Sequence, residues 1–190
     1  MYSIHKYMSV EKATGIEIEP SIKPVVGIIM GSKSDRAIMA EADEVLLELD
    51  IPHSMNIISA HRTPELMKEY ARTAKERGLR VIIAGAGGSA HLPGMTASET
   101  LIPVVAVPIQ GSKSRLNGLD ALLSQVQMPP GIPVAVMAIN GAKNAALYVA
   151  QWLANDDPDL YQRLIVYRQK MKDEVIRSDE ELQSFNLRRD

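Results

Sequence analysis

A chain of 190 residues, 46% apolar and 23% charged, has the length and balance of one soluble globular domain with a proper core. Its formal charge of -2, from 21 basic and 23 acidic residues, argues against a general nucleic-acid binder, and a single Phe and a single Trp offer no stacking platform for single strands. The absence of cysteine excludes disulfides, thiolate metal sites and a cysteine nucleophile, and makes the cytoplasm the default location.

Residues 1–24 mix charge, Gly and Pro without lasting periodicity and read as a flexible or loosely docked extension, with His5 solvated among polar neighbours. They contain no continuous apolar core of a signal peptide, and no stretch of the chain approaches the roughly 20 apolar residues of a membrane span. The domain is expected from residue 25 to 177, with a polar tail over 178–190. Val25 to Met30 is a β-branched run suited to a strand buried on both faces. Asp35 to Leu49 follows with helical spacing, placing Ile38, Ala42, Val45, Leu46 and Leu49 on one stripe, and Asp35 is placed to cap it.

The alternation then repeats. Strands are expected over Ser54 to Ile58, Arg80 to Ala84, Val104 to Val107 and Val134 to Ala138. Helices are expected over Pro64 to Arg77, Leu92 to Thr100, Gly118 to Val126 and Gly141 to Ala154. His53, beside Pro52, reads as surface. Five strands each followed by a helix predict right-handed βαβ units in a doubly wound, flavodoxin-like α/β fold with a parallel sheet. A last helix from Pro158 to Ile176 carries Leu160, Leu164, Tyr167 and Met171 on one face. Its stripe needs a surface, either a neighbouring subunit or the chain's own domain.

In an open parallel sheet the loops after the strands gather on one edge, where ligands bind. Three of them carry chemistry. Gly31-Ser32-Lys33-Ser34-Asp35 offers hydroxyls, the amides of a nascent helix and a lysine charge to a phosphate, although its spacing fits neither a Walker loop nor a dinucleotide fingerprint. Asp35 suits ribose hydroxyls as well as a cap. Ser59-Ala60-His61-Arg62-Thr63-Pro64 supplies a bidentate anion partner in Arg62 and a proton carrier in His61, a histidine being able to take and give a proton at neutral pH. An isolated histidine is as often structural as catalytic, and that choice stays open at this level.

The third loop, Gly85 to Gly94, begins with Gly85, Ala86, Gly87, Gly88 and Ser89, where missing side chains permit positive φ and close approach of a ligand. His91 ends it, and Pro93 presets a helix start whose free amides favour an anion. A further polar loop, Gln110 to Asn117, holds Lys113 and Arg115, either solvated or able to close over a ligand. No Ser-His-Asp order or paired carboxylates accompany these loops, which points to proton transfer around a held anionic small molecule rather than covalent catalysis. No histidine cluster supports a metal.

The ordered motifs MGSKSD, SAHRTP, GAGGSAHLPGM, SQVQMPPGIPV and AKNAAL, spread from about Val25 to Val175, closely resemble the PurE family of purine biosynthesis. The resemblance implies a cofactor-free, metal-free mutase that moves a carboxylate from the exocyclic nitrogen of N5-carboxyaminoimidazole ribonucleotide to ring carbon C4, through a trapped CO2. It implies a cytoplasmic homo-octamer with active sites at subunit interfaces and no membrane or nucleic-acid partner. The residue matching the family's general acid/base is His61, with His91 as a donor against the carboxylate. Matching the substrate-holding positions are Gly31, Ser32, Ser34, Asp35, Ser59, Ala60, Arg62, Gly85, Ala86, Gly87, Gly88, Ser89 and Leu92. Two departures stand out: the loop Gln110 to Asn117 looks longer than the family's, and Ile139-Asn140-Gly141 shorter. A related branch that carboxylates aminoimidazole ribonucleotide directly, and a paralogue that only binds a phosphorylated ligand, are the alternatives.

Overall fold

The computed structural model describes residues 23–111 and 114–186, so the N-terminal extension through residue 22, with His5, and the side chain of Lys113 lie outside the described residues. Five strands form one parallel sheet in the order β2-β1-β3-β4-β5: β1 Val26–Met30, β2 His53–Ile57, β3 Val81–Gly87, β4 Val104–Ile109 and β5 Ala135–Val136. The flavodoxin-like, doubly wound reading holds. β1, β3 and β4 sit inside the sheet and are apolar throughout because both of their faces are covered.

One face packs against α1 (Arg36–Glu48) and α5 (Ala142–Leu153), with Met39, Ala42, Leu46, Ala146 and Val149 meeting Ile28, Ile83 and Val107. The stripe of α1 includes Met39 where periodicity put Ile38, which is only partly buried. The other face packs against α2 (Pro64–Arg72), α3 (Leu92–Ala97) and α4 (Leu119–Val126), through Met67, Tyr70, Leu92 and Ala121 against Ile29, Ile82 and Val104. Each fully buried Ile or Val side chain contributes about 1.5–3 kcal/mol.

Several boundaries move for physical reasons. The α2 helix stops at Arg72 and continues as turns to Gly78, which takes φ +88°. β3 runs on through Gly87, so the first three residues of the expected glycine loop are strand. Gly85 is there for space: a Cβ would strike Met39 Sδ and come within 2.9 Å of Ile109 Cδ1, while one on Gly87 would lie 2.8 Å from the Ile109 carbonyl oxygen. Within the stretch Gly85 to Gly94, Gly88 takes the left-handed backbone, at φ +64°.

The expected strand Val134 to Ala138 shrinks to two residues. The Ala106 and Pro108 carbonyls accept from Met137 and Asn140 on the β5 side, but Pro108 has no N–H to return and the ladder stops. Asn140, at φ +59°, takes over with its side chain, its Oδ1 accepting from the Gln110 N–H at 2.9 Å.

His53 is not a surface residue. Its side chain is 7% exposed, held by Asp43 Oδ1 on α1 at 2.8 Å through Nε2 and by the Ile51 carbonyl at 2.7 Å through Nδ1. The last helix, α6, spans Pro158–Asn186, so residues 178–186 of the expected tail continue it. Leu160, Leu164 and Tyr167 pack into the chain's own core, the second of the two surfaces open to that stripe. Met171 does not join them and is 50% exposed.

Candidate active site

The strand order places a switch point between β1 and β3, whose following loops diverge and leave a crevice at their carboxyl ends. A cleft of about 490 Å³ lies there. It is lined by Gly31, Ser32, Ser34 and Asp35 after β1, by Ser59, Ala60, His61 and Arg62 after β2, and by Ala86, Gly87, Gly88, Ser89, His91 and Leu92 from β3 into α3. Of the residues expected from sequence, Gly85 alone stands behind the cleft wall, its carbonyl accepting from the Gly31 N–H at 3.2 Å. Lys33 and Arg115 are exposed and line none of it.

The loop after β1 tightens into a 3-10 turn, Lys33–Asp35. Ser32, not Asp35, is the capping residue: its Oγ accepts the Ser34 N–H at 3.1 Å, whereas the Asp35 side chain makes no cap bond to α1. The Ser32 and Ser34 hydroxyls meet at 2.6 Å, and Ser34 donates to Asp35 Oδ1 at 3.1 Å. Asp35 is 8% exposed. Burial pushes its carboxyl above the usual carboxylate range, against the opposing pull of the Ser34 hydroxyl, the Ser32 backbone and the Arg62 charge.

Arg62 is fixed from two sides. Its Nε donates to Ser59 Oγ at 3.2 Å and its Nη2 to the Gly31 carbonyl at 2.7 Å. Thr63 locks the loop, its hydroxyl accepting the Ser59 N–H and donating to the Ser59 carbonyl, both at 3.0 Å. This leaves a guanidinium and two serine hydroxyls at the mouth of the first two loops, a set suited to an anion.

Across the cleft His61 Nε2 and His91 Nδ1 lie 3.0 Å apart, with their rings perpendicular and 5.0 Å between centres. Such a contact requires one nitrogen to donate and the other to accept, so the two imidazoles share a proton at the rim of the glycine turn. Both side chains are solvent-accessible. Among the described residues, no three His, Cys, Asp or Glu side chains are grouped as metal ligands would be.

Gly111, Ser114 and Asp120 also line the cleft and were not singled out from sequence. Ser114 Oγ donates to Asp120 Oδ1 at 3.1 Å and accepts the Gly118 N–H at 2.9 Å. The available signal was Asn117-Gly118, consecutive left-handed residues at φ +52° and +86° that turn the loop back on itself.

This is an open parallel α/β protein whose cleft is lined by a guanidinium, serine hydroxyls and a hydrogen-bonded histidine pair. The family model described as AIR carboxylase matches residues 25–174. The chain is 60% identical to the N5-carboxyaminoimidazole ribonucleotide mutase of Pyrococcus abyssi over 78% of its own length and 84% of that protein. It is 54% identical to that of Bacillus subtilis over 85% and 99%. Its backbone matches the crystal structure of Treponema denticola PurE with a TM-score of 0.70 and 28% identity, covering 84% of this chain and 98% of that one. The chain belongs to the AIR carboxylase family.

Proposed function

We propose that this protein is an N5-carboxyaminoimidazole ribonucleotide mutase, an isomerase of purine biosynthesis, with its active domain at residues 25–177. The reading is supported by relatives of that name at more than half identity over most of the chain. The observation that carries the chemistry is the His61–His91 contact of 3.0 Å beside the glycine turn.

Arg62 with Ser32 and Ser59 holds the phosphate, and Asp35 takes ribose hydroxyls. The aminoimidazole ring enters between His61 and the backbone of Ala86 to Ser89. The bond from the exocyclic nitrogen to its carboxylate breaks, CO2 is freed, and His61 delivers a proton to that nitrogen. Ring carbon C4 then attacks the CO2, and the proton on C4 leaves to the same imidazole. Atoms balance without a cofactor or an outside reactant. His91 donates to the carboxylate in both halves of the reaction, and the proton shared by the two rings lets His61 change roles between them. Glycine at 87 and 88 brings main-chain amides against the CO2 while leaving it little room to escape.

We place the enzyme in the cytoplasm as a homo-octamer. No described helix is long and apolar enough to cross a membrane. Beyond Tyr167, α6 is exposed through residue 185 and carries Met171, Val175, Ile176 and Leu182. A helix in that state gains by burying those side chains on another subunit. Sizing by light scattering tests the assembly, and a monomer would refute it.

The function is tested with carboxyl-labelled N5-carboxyaminoimidazole ribonucleotide in excess unlabelled bicarbonate, with spontaneous breakdown subtracted. Product that keeps its label, with His61→Asn slower by ~10²–10⁴, is the expected result. Unlabelled product would mean direct carboxylation, and no product would leave a phosphorylated-ligand binder.

A further inference from the structure

Gln125 sits in the last turn of α4 with 1% of its surface exposed, and no step of the reaction uses it. Its Nε2 donates to the Ala86 carbonyl at 3.2 Å. Its Oε1 is buried without a partner among the described residues. A buried acceptor left unpaired costs at least as much as one hydrogen bond returns, so a methionine of similar volume would fill the same space with less penalty. The amide is therefore poorly explained by stability.

Position explains it better. Ala86 is where β3 enters the cleft wall, and the pairing of β3 with β4 ends one residue later, at Gly87 opposite Ile109. Gly87 still pairs as strand, and Gly88 then turns with no side chain of its own to fix it. Gln125 grips the chain two residues before that turn, whereas Ser124 beside it gives its hydroxyl proton to the Asp120 carbonyl at 2.6 Å and leaves the Gly88 carbonyl oxygen, 3.5 Å away, to be placed by the strand end alone. Gln125 is thus the brace of the glycine turn.

We propose that Gln125 is a positioning residue that holds the Ala86 carbonyl so that the Gly87 to Ser89 backbone stays closed over freed CO2. Its contribution is retention of CO2 between the two halves of the reaction. This rests on the mutase reading above, and it assigns the task to a side chain that touches neither substrate nor CO2.

The test compares wild type, Gln125→Met and Gln125→Glu in the labelled-substrate experiment, reading label retained in product, KM, kcat and thermal melting. Methionine keeps the volume and loses the donor. A charged glutamate keeps the shape and cannot donate to a carbonyl. The expected result is a Gln125→Met enzyme that melts near wild type with KM within about threefold, because the phosphate loops are untouched, while the fraction of label lost to bicarbonate rises at least ~10-fold. Gln125→Glu is expected to hold CO2 while its buried carboxyl keeps a proton to donate, and to leak as rising pH removes that proton. Wild-type retention in both variants, with or without a drop in melting temperature, would overturn the proposal, as would failure of both to fold, since Gln125 would then be a packing residue. A wild type that yields no labelled product would sink the mutase reading itself, and this inference with it.

Discussion

Arg62 donates from Nη2 to the Gly31 carbonyl at 2.7 Å, so the side chain proposed to hold the phosphate also ties the loop after β2 to the loop after β1. Its Nε bond to Ser59 Oγ orients the same plane. A lysine brings an equal charge but a single rotatable head, and cannot keep both bonds while meeting an anion. Arg62→Lys is expected to raise KM by ~10-fold or more with kcat within about threefold of wild type, charge-assisted bonds being the ones lost. Steady-state kinetics decide it: a fall confined to kcat would move Arg62 from phosphate holding into the chemical step.

Asp35 makes a statement about stability as well as binding. Its carboxyl is raised by burial, so the folded state holds that proton more tightly than the unfolded chain does. Between the unfolded value and the raised folded one, stability falls as pH rises, and above both the full penalty of a buried carboxylate persists. Asp35→Asn is expected to raise the melting temperature at neutral pH, with the gain shrinking as pH drops toward the ordinary aspartate range, while substrate affinity falls about tenfold through loss of a charged acceptor. Melting curves of both proteins across pH test the sign, and a gain that grows toward acid would contradict it.

Gly85 separates packing from ligand binding within one glycine-rich motif. Its Cβ position is occupied by Met39 Sδ and Ile109 Cδ1, both fully buried. Gly85→Ala is expected to cost about 1–3 kcal/mol in urea unfolding as those side chains leave their rotamers. At Gly88 a Cβ meets nothing within 4 Å, and its cost there comes only from the positive φ. Equal losses for alanine at the two positions would show that space is not what Gly85 provides.

Much of this was legible in the sequence because βαβ rhythm and glycine punctuation are local signals. The β-branched runs at 25–30 and 80–84 announced buried parallel strands, and three loops loaded with Ser, His, Arg and Gly announced the edge on which they would meet. What stayed hidden depended on partners far along the chain. His53 looked exposed beside Pro52 because nothing nearby revealed Asp43 waiting on α1. The glycine motif looked like loop throughout, because only the approach of Met39 and Ile109 shows that its first half needs thin strand rather than a flexible turn. Ser114 and Asp120 reach the cleft by a reversal at Asn117-Gly118 that composition alone does not aim. The motifs that carried the family resemblance covered the ligand loops well and said little about Gln125, whose amide acts on backbone from behind.

The sheet's margin at β5 bears on how the protein behaves in a crowded solution. Exposed strand borders are templates on which other chains can lay down hydrogen bonds and seed insoluble assemblies. Here that border is two residues long, and past it the Asn140 side chain, not extended backbone, answers Gln110. At this edge a passing peptide finds almost no run of free amides and carbonyls to copy, so the proline and asparagine that shorten the strand also leave it a poor template for another chain.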